Sequence, residues 1–599
     1  MKKLKLISLI CSLMMVISCF AVFPAMADTT PTLTTWGEGT AGDPYIISNA
    51  NFADFLANAA NYSDKHFRLG EDIVINNGVN DGTAEDWAAG TKTPTTTLSA
   101  PIFPGNFTGT FDGNGKSISG IYMKGTQVGL FYSVNVGSVV KNLRLLNSYF
   151  ESTQTAVDAN TGWTGGTGSI AARLYHDGKI TNVYSEAILK NTSTMNSTQL
   201  AIGGIVGWMV KSLGTDGTTI YQAQISNCVF AGSISGAGAT GGILGYIHNN
   251  GEPRVKISNC LNLGVITSRN DNVGAIIGQS WGSASSATIE KCMNLSPRMS
   301  DPSSNPSDVV GGSFDGDLEN RFTSVTGIVG VNGLSTMRAA ANASYTDAST
   351  NQNWGMTAID LSTLLNADIV KTGAALEGWS YAAGYVPNPT THTAIPLSAI
   401  INADTLGLKS EGEIHSVRIS NTNKGLRFIT LVSDNGVTLI NELKKIEGAT
   451  VAMNTYITAA KYFTDAQYGI TEFTKEALGA DRYLVVPTPD YLLKNGVNGA
   501  TVNAFAGSVV GINNLTMEYL AVGCVTVTVG DATYDIYASW NTDEATSVST
   551  VATAAAEDVE TEAGVEGYDN YITDITGAQV YSPYTQAQYD CIKSLIAAQ

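Results

Sequence analysis

The sequence predicts a mainly β protein, in which a parallel β-helix precedes a β-sandwich-like module with C-terminal helices. A phrase that occurs three times between Gly203 and Leu295 predicts the first part, because it places Cys228, Cys260 and Cys292 at intervals of 32 residues. Composition agrees, since 62 glycines and a charged fraction of 14% are typical of chains with many tight turns. The rhythm of the strands changes near residue 400, which indicates a second module.

Each repeated phrase joins a glycine-bounded apolar run, as in GGILG, to an alternating strand, as in ISNC, and a short third strand. A fixed period of this length indicates a repeat architecture. One repeat cannot bury its apolar face alone, whereas repeats stacked about 4.8 Å apart pair every backbone group and align equivalent side chains in ladders. We therefore expect the repeated cysteines to form a buried ladder of thiols. A metal or disulfide role is disfavoured, because no second cysteine or histidine lies at ligand spacing.

Residues 1–27 have the pattern of a signal peptide. Three lysines precede an apolar run from Leu6 to Phe23, and an A-x-A site ends at Ala27, so we expect the mature chain to begin at Asp28. An uncleaved anchor is one alternative, because the run is slightly long. A lipoprotein acylated at Cys19 is another. We expect no membrane span in the mature chain, because no later stretch is apolar enough.

The chain is acidic, and its charge restricts the choice of partners. The formal charge of -19 becomes -22 when the three lysines of the leader are removed. Long-range attraction to nucleic acid or anionic lipid is therefore opposed, and we expect neither as a partner. We expect a monomer.

The expected β-helix occupies residues 28–397 and begins with a short helix capped by Asn51. One face of that helix is apolar, and its residues are Phe52, Phe55, Leu56 and Ala59. Such a helix is needed because an open end exposes apolar core and unpaired strand edges. A closing cap is expected at 354–397, with a short helix over 356–365.

The second module is expected at 401–599 and alternates strands with helices. The expected helices lie near 437–446, 547–556 and 585–598. Its strands include GLRFITLV, MEYLAVGCVTVTV and TYDIYASW. These strands and the following VSTVATAAAED resemble an uncharacterised β-sandwich-like module of secreted proteins from Gram-positive anaerobes. That resemblance brings no activity with it.

Residues 36–397 show an order of motifs that runs from GTAGDPYIIS through HFRLGEDIVI and FTGTFDGNGKSISGIYM to the GGIVG and ISNC repeats. This order resembles the GLUG-type repeat region of bacterial surface proteins. The resemblance implies a right-handed parallel β-helix on an extracellular protein, and it gives no agreed catalytic residues. Residues 297–323 depart from the pattern with a stretch rich in serine, proline and aspartate, so the number of repeats after Cys292 stays open.

Trp208, Tyr246 and Trp281 are the candidate ligand-binding residues. They occupy nearly the same position in successive repeats, and sugars bind to exposed aromatic faces that a rigid scaffold holds at regular spacing. The alternative is that these rings flank the core or shield a corner of the fold.

Other motifs favour a structural interpretation. Residues 278–282 satisfy G-x-S-x-G, yet Ser280 takes the place of Met209 and Ile247 in sibling repeats, and no helix follows as a nucleophile elbow requires. Residues 236–241 satisfy G-x-G-x-x-G without a helix to receive a phosphate. The five histidines are scattered, and no H-E-x-x-H motif exists, so we expect no metal and no cofactor.

Four asparagines each precede the inward residue of a repeat. They are Asn142, Asn182, Asn227 and Asn259. Amides stacked from repeat to repeat can satisfy the backbone at a corner, so we expect a structural ladder.

The sequence thus favours an exported, non-catalytic surface or extracellular protein that binds a polysaccharide or another surface protein. The alternative is a polysaccharide lyase or glycoside hydrolase built on the β-helix. Such an enzyme needs clustered carboxylates, and those between residues 128 and 295 share no repeat position. The remaining candidates are Asp308, Asp315 and Asp317 in the stretch that interrupts the repeats.

Overall fold

The computed structural model describes residues 36–154, 166–193, 200–214, 216–248, 254–269, 272–280, 286–300, 322–326, 328–331, 356–365, 375–417, 424–488, 493–497, 500–557 and 568–597. The chain divides into two compact units, of which the first ends at Ile395 and the second comprises Pro396–Gln599. The chain is mainly β, as the sequence predicts, and several of its sheets are parallel.

Four parallel sheets, named A to D, build the first unit. Sheet A contains Tyr45–Ile47, His66–Leu69, Ile73–Val74, Thr110–Asp112, Ser117–Ser119, Val139–Leu146, Lys179–Ser185, Ala223–Ser226, Val229–Phe230, Arg254–Ser258, Leu261–Asn262, Ser286–Glu290, Met293–Asn294, Phe322–Thr326, Ile328–Val331 and Met356–Ile359. Sheet B contains Tyr122–Gly125, Tyr149–Ser152, Ile188–Asn191, Ser233–Gly236, Val265–Ser268 and Met299–Ser300. Sheet C contains Phe103–Phe107, Phe131–Val134, Ala171–Tyr175, Val206–Lys211, Leu244–Ile247 and Ile277–Ser280. Sheet D contains Thr167–Gly168, Ile202–Gly203, Thr240–Gly241 and Val273–Gly274.

Equivalent strands of successive repeats pair in register. In sheet A, for example, Ile225 pairs with Ile257, which pairs with Ile289. The side chains of all three are fully buried. The register therefore places the apolar position of each repeat directly beside the same position of the next, and the core is continuous along the stack.

The three repeated cysteines lie on neighbouring repeats, as the 32-residue period predicts. Cys228, Cys260 and Cys292 are free and fully buried. The Sγ atom of Cys260 lies 3.4 Å from the carbonyl oxygen of Ser258, and its two siblings make the same contact within their own repeats. Burial raises the pKa of Cys260 well above its ordinary value, so the thiol stays protonated.

Paired glycines allow the repeats to stack closely. A Cβ atom on Gly204 would lie 2.1 Å from the carbonyl oxygen of Gly242 and 2.4 Å from the ring of Phe230. Gly242 meets the next repeat in the same way, with 2.2 Å to the carbonyl oxygen of Ala275. A side chain at either position would collide with backbone, which explains the repeated GG.

The four repeated asparagines adopt the left-handed backbone conformation, with φ between 51° and 55°. Lys291 occupies the same place in the next repeat, with φ of 54°. Asparagine tolerates this conformation better than most residues. The expected amide ladder is present between Asn182 and Asn142, where Nδ2 donates to Oδ1 over 2.7 Å, and it continues to Asp112 over 3.0 Å. Backbone geometry is therefore the main reason for asparagine at this position.

A helix at Phe52–Asn58 covers the N-terminal end of the core, as expected. Phe55 is fully buried, and its ring lies 5.5 Å from that of Phe67 and 5.9 Å from that of Phe103. The expected capping role of Asn51 is wrong. Its side chain makes no cap to the helix, because Oδ1 accepts the amide of Ser48 and Nδ2 donates to an earlier carbonyl.

In the described part of the first unit, further α-helices lie at Ala84–Ala89 and Leu361–Leu365, and a 3-10 turn at Ala59–Tyr62. The expected helix over 356–365 is wrong in its first half, because Met356–Ile359 is a strand that pairs in parallel with Ile328–Val331 and extends sheet A. Short strands follow at Trp379–Ser380, Tyr385–Val386, Asn388–Pro389 and Ile395–Pro396.

Residues 375–395 lie beside the left-handed turns of the repeats. The indole Nε1 of Trp379 donates to the carbonyl oxygen of Lys291 over 3.1 Å. The ring Nε2 of His392 donates to the carbonyl oxygen of Asn227 over 2.6 Å. The segment thus contacts two repeats at the same kind of turn.

The second unit contains two four-stranded antiparallel sheets. One contains Lys409–Val417, Gly425–Val432, Leu493–Val497 and Ala500–Val510, and the other contains Thr450–Ala459, Tyr483–Pro487, Tyr519–Val529 and Ala532–Tyr537. The sheets approach closely where Gly507 faces Thr455 and where Gly523 faces Thr430.

The helices of the second unit lie at Ala403–Leu406, Asp434–Lys444, Lys461–Thr464, Lys475–Leu478, Val548–Glu557 and Gln586–Ala597. The three longest lie within three residues of the expected positions. A hairpin of Asn570–Thr573 and Gln579–Ser582 was not expected from the sequence. Within the described part of the chain, no helix is long and apolar enough to cross a membrane.

Candidate binding face on sheet C

Sheet C carries the candidate residues in a column across consecutive repeats. Ser133, Arg173, Trp208, Tyr246 and Gln279 occupy equivalent positions on five neighbouring strands. Trp208 and Tyr246 belong to a small cluster of their own, separate from the main core. The column therefore lies on the outer side of the sheet.

The sequence-based expectation that Trp208 and Tyr246 offer exposed rings is wrong. Trp208 is fully buried, and Tyr246 is 3% exposed. Their ring centroids are 5.4 Å apart, and Ala201, Val210 and Ala239 complete the cluster. A sugar cannot stack on a ring without a free face, so neither ring offers a stacking surface. We call the buried pair of Trp208 and Tyr246 the floor. Trp281 lies outside the described residues.

Arg173 stands beside this floor and is half-buried. Its Nη1 donates a 2.6 Å hydrogen bond to the hydroxyl of Tyr132, and its guanidinium carbon lies 4.9 Å from the centre of that ring. The same carbon lies 6.0 Å from the centre of the Trp208 ring. The two aromatic contacts and the hydrogen bond restrict the orientation of the guanidinium plane.

His248 directly follows the strand Leu244–Ile247 and lies beside Trp208 and Tyr246. Its ring lies nearly parallel to that of Trp208, with an interplanar angle of 10° and 5.8 Å between centroids. Burial lowers the pKa of His248 to about 4. The imidazole is therefore neutral at physiological pH and acts as a stacking surface with hydrogen-bonding nitrogens.

A second aromatic group lies at the end of the same sheet. Tyr175 and His176 are half-buried neighbours, and the ring of His176 meets that of Tyr221 edge to face at 5.6 Å. The Nδ1 atom of His176 is 2.8 Å from Oδ1 of Asn135. Burial lowers the pKa of His176 as well. We call the set of Tyr132, Arg173, Tyr175, His176, Tyr221 and His248 the rim. Three of its members, Arg173, Tyr175 and His248, contact the floor directly.

No acidic residue occurs on the six strands of sheet C, whose sequences are FPGNF, FYSV, AARLY, VGWMVK, LGYI and IGQS. They do contain the cations Arg173 and Lys211. The carboxylates of the neighbouring sheets have basic partners. Glu151 of sheet B lies 2.9 Å from Nζ of Lys124, and Glu290 of sheet A lies 2.5 Å from Nζ of Lys256.

The G-x-S-x-G and G-x-G-x-x-G motifs have structural roles in the described residues. Ser280 is fully buried and pairs with Ile247, which pairs with Met209, so it holds the sibling position that the sequence indicates. A Cβ atom on Gly236 would meet the Thr240 side chain at 2.1 Å, as expected for a tight corner. Asp308, Asp315 and Asp317 lie outside the described residues. Among the described residues, no group of histidine, cysteine and acidic side chains could hold a metal ion.

Comparison with known proteins gives one distant similarity. No protein-family model and no solved structure matches the chain. A stretch of 178 residues is 30% identical to halomucin from Haloquadratum walsbyi and covers 28% of this chain. The match spans only 2% of the length of halomucin. The similarity is compatible with a secreted or cell-surface protein and shows neither a family nor a ligand.

Sequence reasoning missed the rim. Tyr132 and Arg173 come from repeats that lack the GGILG phrase, so comparison among the three clearest repeats did not align them with Trp208. The available signal was the strand AARLY, in which an arginine replaces the aromatic residue of its siblings. Aligning the earlier strands with the three clear repeats would have placed Arg173 beside Trp208.

Proposed function

We propose that this chain is an exported, non-catalytic surface or extracellular protein whose first unit is a right-handed parallel β-helix that binds a polysaccharide. The rim on the outer side of sheet C carries this proposal. In-register parallel pairing over successive repeats supports the β-helix, and the GLUG-like order of motifs supports its handedness. The leader pattern and the distant similarity to halomucin support export.

Three features of the rim suit a polymeric ligand. Tyr132, Arg173 and Tyr175 lie on two adjacent strands of sheet C, and His176 and His248 directly follow strands of that sheet. The floor contacts three members of the rim directly. The rim residues are partly exposed and combine aromatic faces with hydrogen-bonding groups, as sugar sites do.

A glycan array with the mature chain tests the proposal. We expect retention on at least one polysaccharide, with the affinity lowered about tenfold by Tyr132→Ala or Tyr175→Ala, because each removes a partly exposed ring. Tyr122→Ala is the matched control, since Tyr122 is also half-buried but stacks on Tyr149 in sheet B. If no polysaccharide is retained while the chain still binds intact cells, the ligand is a surface protein instead.

The formation of cleavage products distinguishes a carbohydrate-active enzyme from the proposed binding protein. We expect no unsaturated or reducing ends when the mature chain is incubated with pectic and host polysaccharides. Products that disappear in a variant with Asp315→Ala and Asp317→Ala would establish the enzyme instead.

A further inference from the structure

Residues 375–395, which we call the latch, are anchored to the repeats at two places. The indole Nε1 of Trp379 donates to the carbonyl oxygen of Lys291 over 3.1 Å, and the ring Nε2 of His392 donates to that of Asn227 over 2.6 Å. Both acceptors belong to residues with a left-handed backbone, at the same turn of two different repeats. The latch therefore uses one N–H donor at each end to bind the same kind of turn.

Between these anchors the latch passes a third turn of the same row. A Cβ atom on Gly378 would lie 3.5 Å from the side-chain nitrogen of Asn259. The strands before the three turns pair in register from repeat to repeat. Neighbouring turns are therefore about 4.8 Å apart, so the latch spans about 10 Å of the stack.

The end of the latch that carries His392 is a compact loop, and we call its residues 388–395 the hook. The backbone amide of His392 donates to the carbonyl oxygen of Pro389 over 2.9 Å. The Nδ2 atom of Asn388 donates to the carbonyl oxygens of His392 and Thr393 over 3.2 and 3.1 Å. These bonds hold the imidazole in position to reach the repeat.

The two anchors differ in their response to pH. The indole of Trp379 does not titrate, and the ion pair of Lys291 with Glu377 beside it is largely exposed. The imidazole of His392 is half-buried, and burial lowers its pKa. Arg144 of sheet A lowers this pKa further, whereas the hydrogen bond to the repeat carbonyl raises it. Acid therefore acts on one anchor and spares the other.

The direction of the effect follows from where the proton binds more readily. An imidazole that has left the repeat regains an ordinary pKa near 6.5, which is above that of His392 in the closed latch. The closed state is therefore most populated above about pH 6.5 and loses population as the pH falls below it. Tyr381 and Tyr385 complete the titratable groups of the latch, and phenols stay neutral in acid.

We propose that the latch is an acid-sensitive strap, whose hook leaves the turn of Asn227 when His392 is protonated while the anchor at Trp379 holds. The opening is local, because the strands beneath the latch keep their in-register pairing. The second unit begins directly after the latch, at Pro396. Opening therefore frees the stretch of chain that leads into the second unit.

Hydrogen exchange of the mature chain at pH 7 and pH 5, read by mass spectrometry and corrected for the intrinsic rate at each pH, tests the proposal. A peptide that covers the hook should exchange faster at pH 5, because a hook that has left the repeat is not held in its loop. If the open latch alone could bind the proton, the open fraction would rise about 25-fold between the two pH values. We expect a rise of at least about threefold, because the closed latch also binds the proton, but more weakly.

Three variants assign the rise to one histidine. His392→Gln keeps a donor for the carbonyl oxygen but cannot be protonated, so the hook should exchange equally at both pH values. Trp379→Phe removes the donor of the other anchor and should speed exchange by the same factor at both. His248→Gln is the matched control, because His248 is a buried histidine with a lowered pKa beside sheet C. It should leave the rise unchanged.

Three results would overturn the latch. They are equal protection of the hook at both pH values in the unaltered chain, a rise that survives His392→Gln, and a simultaneous loss of protection in the strands Ala223–Ser226 and Arg254–Ser258. The last result would mean that whole repeats unfold. If His392→Gln leaves the hook unprotected at both pH values, Arg144→Gln decides. Removing this positive charge should bring the pKa of His392 closer to its ordinary value and reduce the rise, and an unchanged rise would overturn the role of His392.

Discussion

The two units of this protein pair their strands in different ways. In the first, each strand pairs in parallel with the equivalent strand of the next repeat, so a residue such as Ile257 has isoleucine on both sides. In the second, strands are antiparallel, and Cys524 pairs with Asn454 on one side and Tyr537 on the other. A repeat places like beside like, whereas an antiparallel sheet brings together residues that share no pattern.

Cysteine shows what this difference means for side chains. The cysteines of the first unit stack against one another among apolar neighbours. The Sγ atom of Cys524 in the second unit lies 3.9 Å from the hydroxyl of Thr526. Burial, together with the nearby carboxylate of Asp535, raises the pKa of Cys524 to about 12. Asp535 itself pairs with Lys475. The three thiols of the first unit therefore have backbone carbonyl oxygens as their polar neighbours, whereas the thiol of Cys524 lies near polar side chains.

The second unit should fold without the first. We expect the fragment 401–599 to unfold cooperatively in urea, because its two sheets and its helices form their own buried cluster. Circular dichroism and intrinsic fluorescence should give the same transition midpoint. A gradual loss of signal, or different midpoints from the two probes, would contradict a separately folding module.

Stacking in the first unit predicts the largest effect of a single substitution. Gly204→Ala should cost about 3–5 kcal/mol or prevent folding, because its Cβ would lie 2.1 Å from the carbonyl oxygen of Gly242. Gly105→Ala is the control, since no atom lies within 4 Å of a Cβ there. Urea unfolding of the two variants measures the difference. Similar stabilities would show that the repeats can separate to admit a methyl group.

The different surroundings of the buried thiols predict different losses of stability when cysteine is replaced by serine. Cys260→Ser should destabilise the protein by about 2 kcal/mol, because the nearby carbonyl oxygens of Ser258 and Ile225 only partly offset the cost of burying a hydroxyl in an apolar stack. Cys524→Ser should cost less than about 1 kcal/mol, because Thr526 and Asp535 can accept or donate a hydrogen bond. The control is Cys591→Ser, on the half-buried surface of a C-terminal helix. Equal losses at Cys260 and Cys524 would remove the distinction between the two interiors.

The same contrast explains what the sequence could predict. The period located the cysteine ladder and the register of the repeats, because a parallel stack repeats its environment every turn. It also located Trp208 and Tyr246 but not their burial, since the period says which residues align and not what covers them. In the second unit, strands and helices were predictable from local pattern, whereas the contact of Lys475 with Asp535 depends on tertiary pairing that no local signal records.

Asparagine illustrates a partial success of the sequence. Its recurrence predicted a structural ladder, and the hydrogen bond between Asn182 and Asn142 agrees. The left-handed backbone that favours asparagine was not foreseen, because the sequence gives residue types and not φ. The capping role expected for Asn51 failed for a related reason, since its side chain finds a nearer partner in the preceding loop.

Histidines predict a pH dependence for the first unit. His176, His248 and His392 all have lowered pKa values because they are buried, and that of His248 is about 4. The unfolded chain, with histidine pKa values near 6.5, binds these protons more readily, so stability should be full above pH 6.5 and fall between pH 6.5 and about 4. His248→Gln should flatten this loss by about 1 kcal/mol, a figure kept small because the ring is partly exposed. Unfolding in urea at several pH values measures it, and an unchanged slope would contradict the assignment.

The smallest expected effect is a gain in stability at Lys291. This residue holds the left-handed position that asparagine holds in the preceding repeats, and its φ is 54°. The left-handed conformation costs lysine more free energy than it costs asparagine. Lys291→Asn should therefore stabilise the protein by about 0.5–1 kcal/mol. Little is lost in exchange, because the ion pair of Lys291 with Glu377 is largely exposed.

Lys256→Asn separates the backbone effect from the change of side chain. Lys256 lies in a regular strand of the same sheet and also pairs with a glutamate, Glu290. Asparagine is disfavoured in strands, so this variant should be neutral or slightly destabilised. Thermal unfolding of both variants decides the matter. A loss of stability at Lys291→Asn would mean that the contact with Glu377 outweighs backbone strain, and that the asparagines of the repeats are held by their amide contacts instead of by their φ.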